Sequence, residues 1–163
     1  MTRRAKTIYF PRNPEDPAPL RLSVTRRARL SEVDPLGIVW FGNYARFFEE
    51  ASTELGRRCG LSYADFRDAR LLAPIAQFHV DYLTPIRLDE VFVVSCSYLW
   101  NPGARLNAEY EIVKPTGEHV ARGWSVQLFL DAAADLRVCV LTPPLLERCR
   151  ERWQRGELKD LQT

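Results

Sequence analysis

Two hydrophobic periods divide the chain. Across residues 41–57 apolar side chains recur every three or four positions: Phe41, Tyr44, Phe48, Ala51 and Leu55 make one stripe, and Arg46, Glu50, Thr53, Glu54 and Arg57 fall on the other side. That spacing predicts an amphipathic helix from about Gly42 to Cys59-Gly60, where a glycine readily takes the left-handed conformation that closes a helix. From residue 71 onward the period is two. Phe78, Val80 and Tyr82 alternate with Gln77, His79 and Asp81; residues 91–100 are apolar enough to be buried on both faces; and Leu106, Ala108, Tyr110 and Ile112 oppose Arg105, Asn107, Glu109 and Glu111. After a turn at 114–118, Val120, Trp124, Val126, Leu128 and Leu130 predict one face of a fourth strand, and 136–141 a fifth beyond the break at 132–135.

Upstream, residues 22–30 set Leu22, Val24, Ala28 and Leu30 against Arg21, Ser23, Thr25, Arg27 and Arg29, a half-buried strand in which Arg26 breaks the pattern. A short helical turn is expected at 63–67, and Pro143-Pro144 stops the sheet where a proline-started helix, 145 to about 153, can begin. One long helix after a first strand, followed by a run of antiparallel strands, gives an α+β class with helix packed on sheet.

Composition narrows the picture. A chain of 163 residues fits one domain, and 23 basic against 21 acidic residues leave a formal charge of +2, too little to favour a nucleic-acid partner. Residues 1–20 hold Pro11, Pro14, Pro17 and Pro19 and read as an extended arm, in which Ile8-Tyr9-Phe10 is more simply a chance cluster than a docking segment. The main domain is expected over 21–155, with a short tail over 156–163. No apolar run approaches a signal-peptide core or the ~20 residues of a membrane span. Four scattered cysteines, Cys59, Cys96, Cys139 and Cys149, and two histidines offer no metal-ligand spacing, which points to reduced thiols in a cytoplasmic protein with no metal or cofactor.

The most informative stretch is 34–51. Asp34-Pro35-Leu36-Gly37-Ile38-Val39-Trp40-Phe41-Gly42-Asn43-Tyr44, followed by Phe47-Phe48, Glu49-Glu50 and Ala51-Ser52, resembles the signature of the 4-hydroxybenzoyl-CoA thioesterase family of hotdog-fold enzymes. Weaker agreement runs through 81–90 to Leu141-Thr142-Pro143. The resemblance implies a curled antiparallel sheet wrapped around one long central helix. It also implies hydrolysis of an acyl-CoA or acyl-carrier-protein thioester, in a site built between subunits of a homodimer or homotetramer.

Bottom-up, the same residues put a carboxylate on an Asp-Pro-x-Gly turn just before a helix N-terminus. Such turns commonly only cap local N–H groups. An Asp of ordinary pKa, about 3.9, is nevertheless ionised at neutral pH and can attack a thioester carbonyl or activate a water; the sequence leaves both roles open. By resemblance the oxyanion donor is the N–H of Phe41 or Gly42. The implied substrate-binding set is Gly37, Val39, Trp40, Asn43, Tyr44, Ala73, Pro74 and Arg105. Asn43 and Tyr44 are expected to brace the turn and pack, and Glu49 and Glu50, adjacent on a helix, to point apart. His79 reads as a surface or interface histidine, against the histidine–carboxylate site of hotdog dehydratases. Gly-x-Ser-x-Gly and phosphate-loop motifs are missing. The stretch 100–105 keeps only Arg105 where relatives gather several basic groups for the nucleotide, which leaves carrier protein and coenzyme A both open. A catalytically idle acyl-binding or assembly module is the alternative, and retention of Asp34 argues against it.

Overall fold

A computed structural model describes residues 9–159 and 161. The elements in order are β1 (Leu20–Arg27), a 3-10 turn (Leu30–Glu32), α1 (Asn43–Cys59), α2 (Tyr63–Asp68), β2 (Leu71–Leu72), β3 (Ile75–Tyr82), β4 (Val91–Leu99), β5 (Arg105–Val113), β6 (His119–Leu128), β7 (Leu130–Asp131), β8 (Arg137–Val138) and α3 (Pro144–Gln154). Five strands form an open antiparallel sheet in the order β1-β4-β5-β6-β3, and a small second sheet runs β2-β7-β8. Helix α1 lies on one face of the large sheet, as a hotdog fold requires.

The stripe of α1 keeps its expected register, is widened by Phe47 and Cys59, and loses only its first member. Tyr44, Phe47, Phe48, Ala51, Leu55 and Cys59 are buried, whereas Phe41 precedes the helix and is 63% exposed. Phe48 stacks on Tyr110 of β5 at 4.7 Å and meets Phe78 of β3 at 6.2 Å. Gly123 lies under the same ring, where a Cβ would come within 2.7 Å of Phe48, so β6 must be bare there for the helix to approach. Gly60 closes α1 at φ 76°, in the left-handed region.

Two expectations change. The alternation in β6 is real, but Trp124, Val126 and Leu128 face away from α1, while Gly123 and Ser125 pair with the inward Tyr110 and Ala108. The arm covers that outer face. Tyr9 lies parallel to Trp124 at 3.6 Å and its hydroxyl donates to Gln77 Oε1, Phe10 is buried against Leu99 and Val126, and Arg12 pairs with Glu109 at 2.6 Å. The Tyr9-Phe10 part of the cluster is therefore a docked segment rather than a chance one; Ile8 lies outside the described residues. The expected fifth strand at 136–141 shrinks to β8, because residues 132–136 turn the chain onto the small sheet and leave Val140 and Leu141 without a ladder.

Beyond α3, Leu158 and Leu161 join the main core. The large sheet has two edges, β1 and β3; β3 is bonded to β6 alone, and nearly all of its residues are exposed, whereas β1 buries alternate residues at its start. Among the described residues no helix is long and apolar enough to cross a membrane.

Candidate active site at the start of α1

The chain between the 3-10 turn and α1 is a narrow loop closed by a bridge between Val33 and Val39. Within it the Asp34 N–H donates to Ile38 O at 2.8 Å and Gly37 N–H to Asp34 O at 2.9 Å; Gly37 sits at φ 76°, where a side chain would strain the turn. Leu36 N–H donates to Asp34 Oδ1 at 2.8 Å, the local capping that an Asp-Pro-x-Gly turn favours. Among the described residues Oδ2 has no such donor, so one carboxylate oxygen anchors the turn and the other stays available.

The loop is held from behind by Glu32. Its carbonyl accepts from Trp40 N–H at 2.9 Å and from Asn43 Nδ2 at 2.8 Å, so Asn43 braces the turn as expected. The Glu32 carboxylate takes Arg26 Nη2 at 2.7 Å and Arg29 N–H at 2.9 Å. Arg26, the residue out of pattern in β1, also pairs with Glu50 and lies 4.5 Å over the Phe47 ring. Its side chain is 9% exposed, so the charge is buried but matched by acids from two elements. This brace escaped the sequence reading; the only signal was a charge on the apolar side of a strand.

Two peptide N–H groups stand free at the helix start. The first turn begins with Asn43 N–H to Trp40 O and Tyr44 N–H to Phe41 O, which leaves the N–H groups of Phe41 and Gly42 without an acceptor among the described residues. The Trp40 indole lies against Gly42 so closely that a Cβ there would be 2.0 Å from the ring. Tyr82, at the end of β3, donates its hydroxyl to Phe41 O at 3.1 Å, and Tyr44 packs edge-on to Tyr82 at 5.0 Å. Burial pushes the Tyr44 phenol up, keeping it neutral.

The remaining candidates sit elsewhere. A cavity of about 430 Å³ runs between α1, α2 and the inner face of the sheet; Ala73, Ile75, Phe78, Phe48, Phe66 and Leu106 are among its walls. Burial raises the Tyr98 and Tyr110 phenols on its floor, so that floor carries no charge. Ala73 O accepts from Gln127 Nε2 at 2.9 Å and Pro74 O from Leu128 N–H at 3.2 Å; Arg105 is exposed opposite Leu128. Ala73, Pro74 and Arg105 thus gather at the Ile75 end of β3. Asp34, Gly37, Val39, Trp40, Phe41, Gly42, Asn43 and Tyr44 gather at its Tyr82 end.

Both histidines face outward. His79 stacks on Trp124 at 5.6 Å and His119 lies 3.0 Å from Glu111, on the side of the sheet away from α1, so neither shares the Asp34 turn. Glu49 accepts from Tyr63 at 3.3 Å on the cavity rim while Glu50 turns to Arg26, so the adjacent acids do not form a pair.

Comparison with known proteins bears on the family and the fold. A relative in Aquifex aeolicus, named for a proposed esterase activity, is 39% identical over 69 residues, 42% of this chain and 54% of the relative. The match thus spans about half the length of that protein. In Bacillus subtilis, YneP, named for a proposed acyl-CoA thioesterase activity, is 28% identical over 103 residues, 63% of this chain and 75% of that protein. The solved DHNA-CoA thioesterase of Staphylococcus aureus superposes with a TM-score of 0.72 at 23% identity, over 85% of this chain and 94% of that one, a likeness of fold. Residues 28–149, a stretch that takes in the Asp34 turn, α1 and strands β2 to β8, match the thioesterase-like superfamily, and the chain belongs to that family.

Proposed function

We propose that the protein hydrolyses an acyl-CoA thioester to a carboxylic acid and free coenzyme A. The observation that carries this reading is the coincidence, at one helix N-terminus, of a carboxylate with a free oxygen and two peptide N–H groups without acceptors. A thioester carbonyl seated on the Phe41 or Gly42 N–H has its growing negative charge stabilised by a fixed donor and the positive end of the α1 dipole. Asp34 then attacks the carbonyl carbon, or takes a proton from a water that does. Collapse of the tetrahedral species expels the thiolate, which gains a proton from solvent or from the protonated Asp34; where Asp34 is the nucleophile, a water then hydrolyses the acyl–Asp34 anhydride to release the carboxylic acid and restore the carboxylate. The aromatic walls and uncharged floor of the cavity suit an apolar acyl group, with Arg46 and Glu49 also among its lining residues. Four unpaired cysteines fit a reducing, cytoplasmic setting.

The working unit in this reading is a homodimer joined through β3. An exposed edge strand bearing Ile75, Phe78 and Tyr82 is a template for pairing with its own copy. Antiparallel pairing about a two-fold axis sets the Ile75 end of one strand beside the Tyr82 end of the other, which joins the acyl cavity of one subunit to the Asp34 turn of its partner. The test is release of free thiol from a panel of acyl-CoA substrates, with light scattering on the same sample. Turnover by a dimer or a tetramer of dimers supports the reading; no thiol release from any acyl-CoA, or full activity in a monomer, rejects it.

A further inference from the structure

Arg26 shares the inward side of β1 with Leu20, Leu22 and Val24, and it is buried where β1, the 3-10 turn and α1 meet. Its guanidinium donates to Glu32 Oε1 at 2.7 Å, pairs with Glu50 of α1 and lies 4.5 Å over the ring of Phe47, also of α1. The Glu32 side chain is 10% exposed and that of Glu50 is half-exposed, so the pair with Glu32 is the desolvated one, where loss of a partner is costly. On α1, Asn43, Phe47 and Glu50 stand at i, i+4 and i+7, one stripe along the helix. Asn43 Nδ2 holds the Glu32 carbonyl at one end of that stripe. Glu50 holds the Glu32 carboxylate through Arg26 at the other, about 10 Å further along the axis. Glu32 is thus fastened twice, by its peptide and by its side chain, to two points on one helix.

We infer that Arg26 is a positioning residue for the thioester chemistry, setting the place of the Asp34 carboxylate against the N–H groups of Phe41 and Gly42. This rests on the function proposed above. Asp34 follows Glu32 by two residues, and the Trp40 N–H bond to Glu32 O and the Val33–Val39 bridge make the turn move with Glu32. The two oxyanion donors move with α1, at whose start they stand. Asn43 alone would be a pivot about which the turn could tilt against the helix; a second fastening two helical turns away removes the tilt. Arg26 therefore fixes a distance between two groups and touches neither. Where reacting groups are held near attack distance, a displacement of ~1 Å costs roughly a hundredfold in rate. Lysine is a poor substitute, because a point charge lacks the planar fork that meets two acids at once.

Two variants test this on the full chain. Arg26→Lys keeps the charge and loses the fork. Arg26→Met/Glu32→Gln removes both buried charges, leaves an amide oxygen for Arg29 N–H and keeps a stem over Phe47, an exchange that stability often tolerates. In both, kcat per folded molecule is expected to fall about tenfold or more, with KM within about twofold of the wild type. Added to Asp34→Asn, neither should cost more than about twofold further, since no carboxylate remains to be placed. Amide hydrogen exchange at Asp34 and Trp40 needs no substrate and should quicken about tenfold in Arg26→Lys. Wild-type kcat in a folded variant, a loss that only tracks the unfolded fraction, an equal loss in the Asp34→Asn background, or unchanged exchange overturns the inference. Failure of the proposed function shows separately, as full activity in Asp34→Asn or no thiol release from any acyl-CoA by the wild type, whatever the exchange rates.

Discussion

The two oxygens of Asp34 have different surroundings: Oδ1 accepts Leu36 N–H at 2.8 Å and fixes the turn, and Oδ2, with no such donor among the described residues, is the one available to the proposed chemistry. Asparagine keeps the acceptor that holds the turn and loses the charge. Asp34→Asn is therefore expected to lower kcat by roughly a hundredfold or more, ~3 kcal/mol in the transition state, with an unchanged circular-dichroism spectrum and thermal midpoint. Near wild-type turnover in the folded variant removes Asp34 from the mechanism. Gly42 makes a second residue-scale case. Its φ of −66° suits any residue, so what demands glycine is the Trp40 ring, which a Cβ would meet at 2.0 Å. Because that ring is half-exposed and can swing aside, Gly42→Ala should cost under about 1 kcal/mol. Adding Trp40→Ala should restore most of the lost thermal stability, and a double variant no more stable than Gly42→Ala alone shows that the overlap is not the cause.

At the scale of elements, α2 shows how a short helix is held in place long enough to border a cavity. Six residues cannot sustain a helix in isolation. Ser62 and Asp65 cap one another instead: Asp65 N–H donates to Ser62 Oγ at 3.2 Å, and Ser62 N–H to Asp65 Oδ2 at 2.8 Å. Ser62→Ala should cost about 1 kcal/mol, read as a lower urea midpoint, and should raise KM if the cavity lined by Tyr63 and Phe66 takes the acyl group as proposed. Hydrogen bonds from the Ser62 side chain and backbone hold the Asp65 carboxyl below its usual range. A carboxyl whose folded pKa is depressed stabilises above its unfolded pKa and loses that contribution as pH falls through the folded one. The part of the cap that depends on the charged carboxylate should thus be full at neutral pH and fade in acid, so the stability gap between the wild type and Ser62→Ala should narrow as pH drops below the carboxylate range, toward the contribution of the Asp65 N–H to Ser62 Oγ bond alone. A gap of the same size at neutral and acid pH denies the linkage.

For the whole molecule the open matter is the carrier. Arg105 is exposed, and in the proposed reading it is the one basic group that the stretch 100–105 offers, where paired, charge-assisted bonds to the nucleotide of coenzyme A would need several. Weak grip on a free nucleotide predicts a high KM for acyl-CoA. An acyl carrier protein offers the same pantetheine arm on an acidic surface, which scattered arginines such as Arg67, Arg70, Arg87 and Arg105 can meet by charge complementarity. Carrier-protein thioesters are therefore expected to be turned over better than matching CoA thioesters, with a preference that shrinks as salt screens the surface. A clear, salt-insensitive advantage for CoA in kcat/KM with one acyl group on both carriers sinks the idea.

By itself the sequence determined the elements and the turn. The helix register from Gly42 to Gly60, the strands around Tyr82 and Tyr110, and the Asp-Pro-x-Gly turn before the helix are local facts, written in spacing and in glycine and proline chemistry, and they were legible because each depends on neighbours within a few residues. Tertiary structure alone decided which apolar face is the core. Alternation marks Trp124, Val126 and Leu128 as one face of β6, yet period two carries no sign, and only the bare Gly123 beneath Phe48 sends that face outward to meet Tyr9 and Phe10. The same limit hid the brace behind the site. Arg26 is a defect in the pattern of β1 until folding brings Glu32 and Glu50 to it from two other elements, because a buried charge is compatible with a strand only when partners distant in space supply the opposite charge.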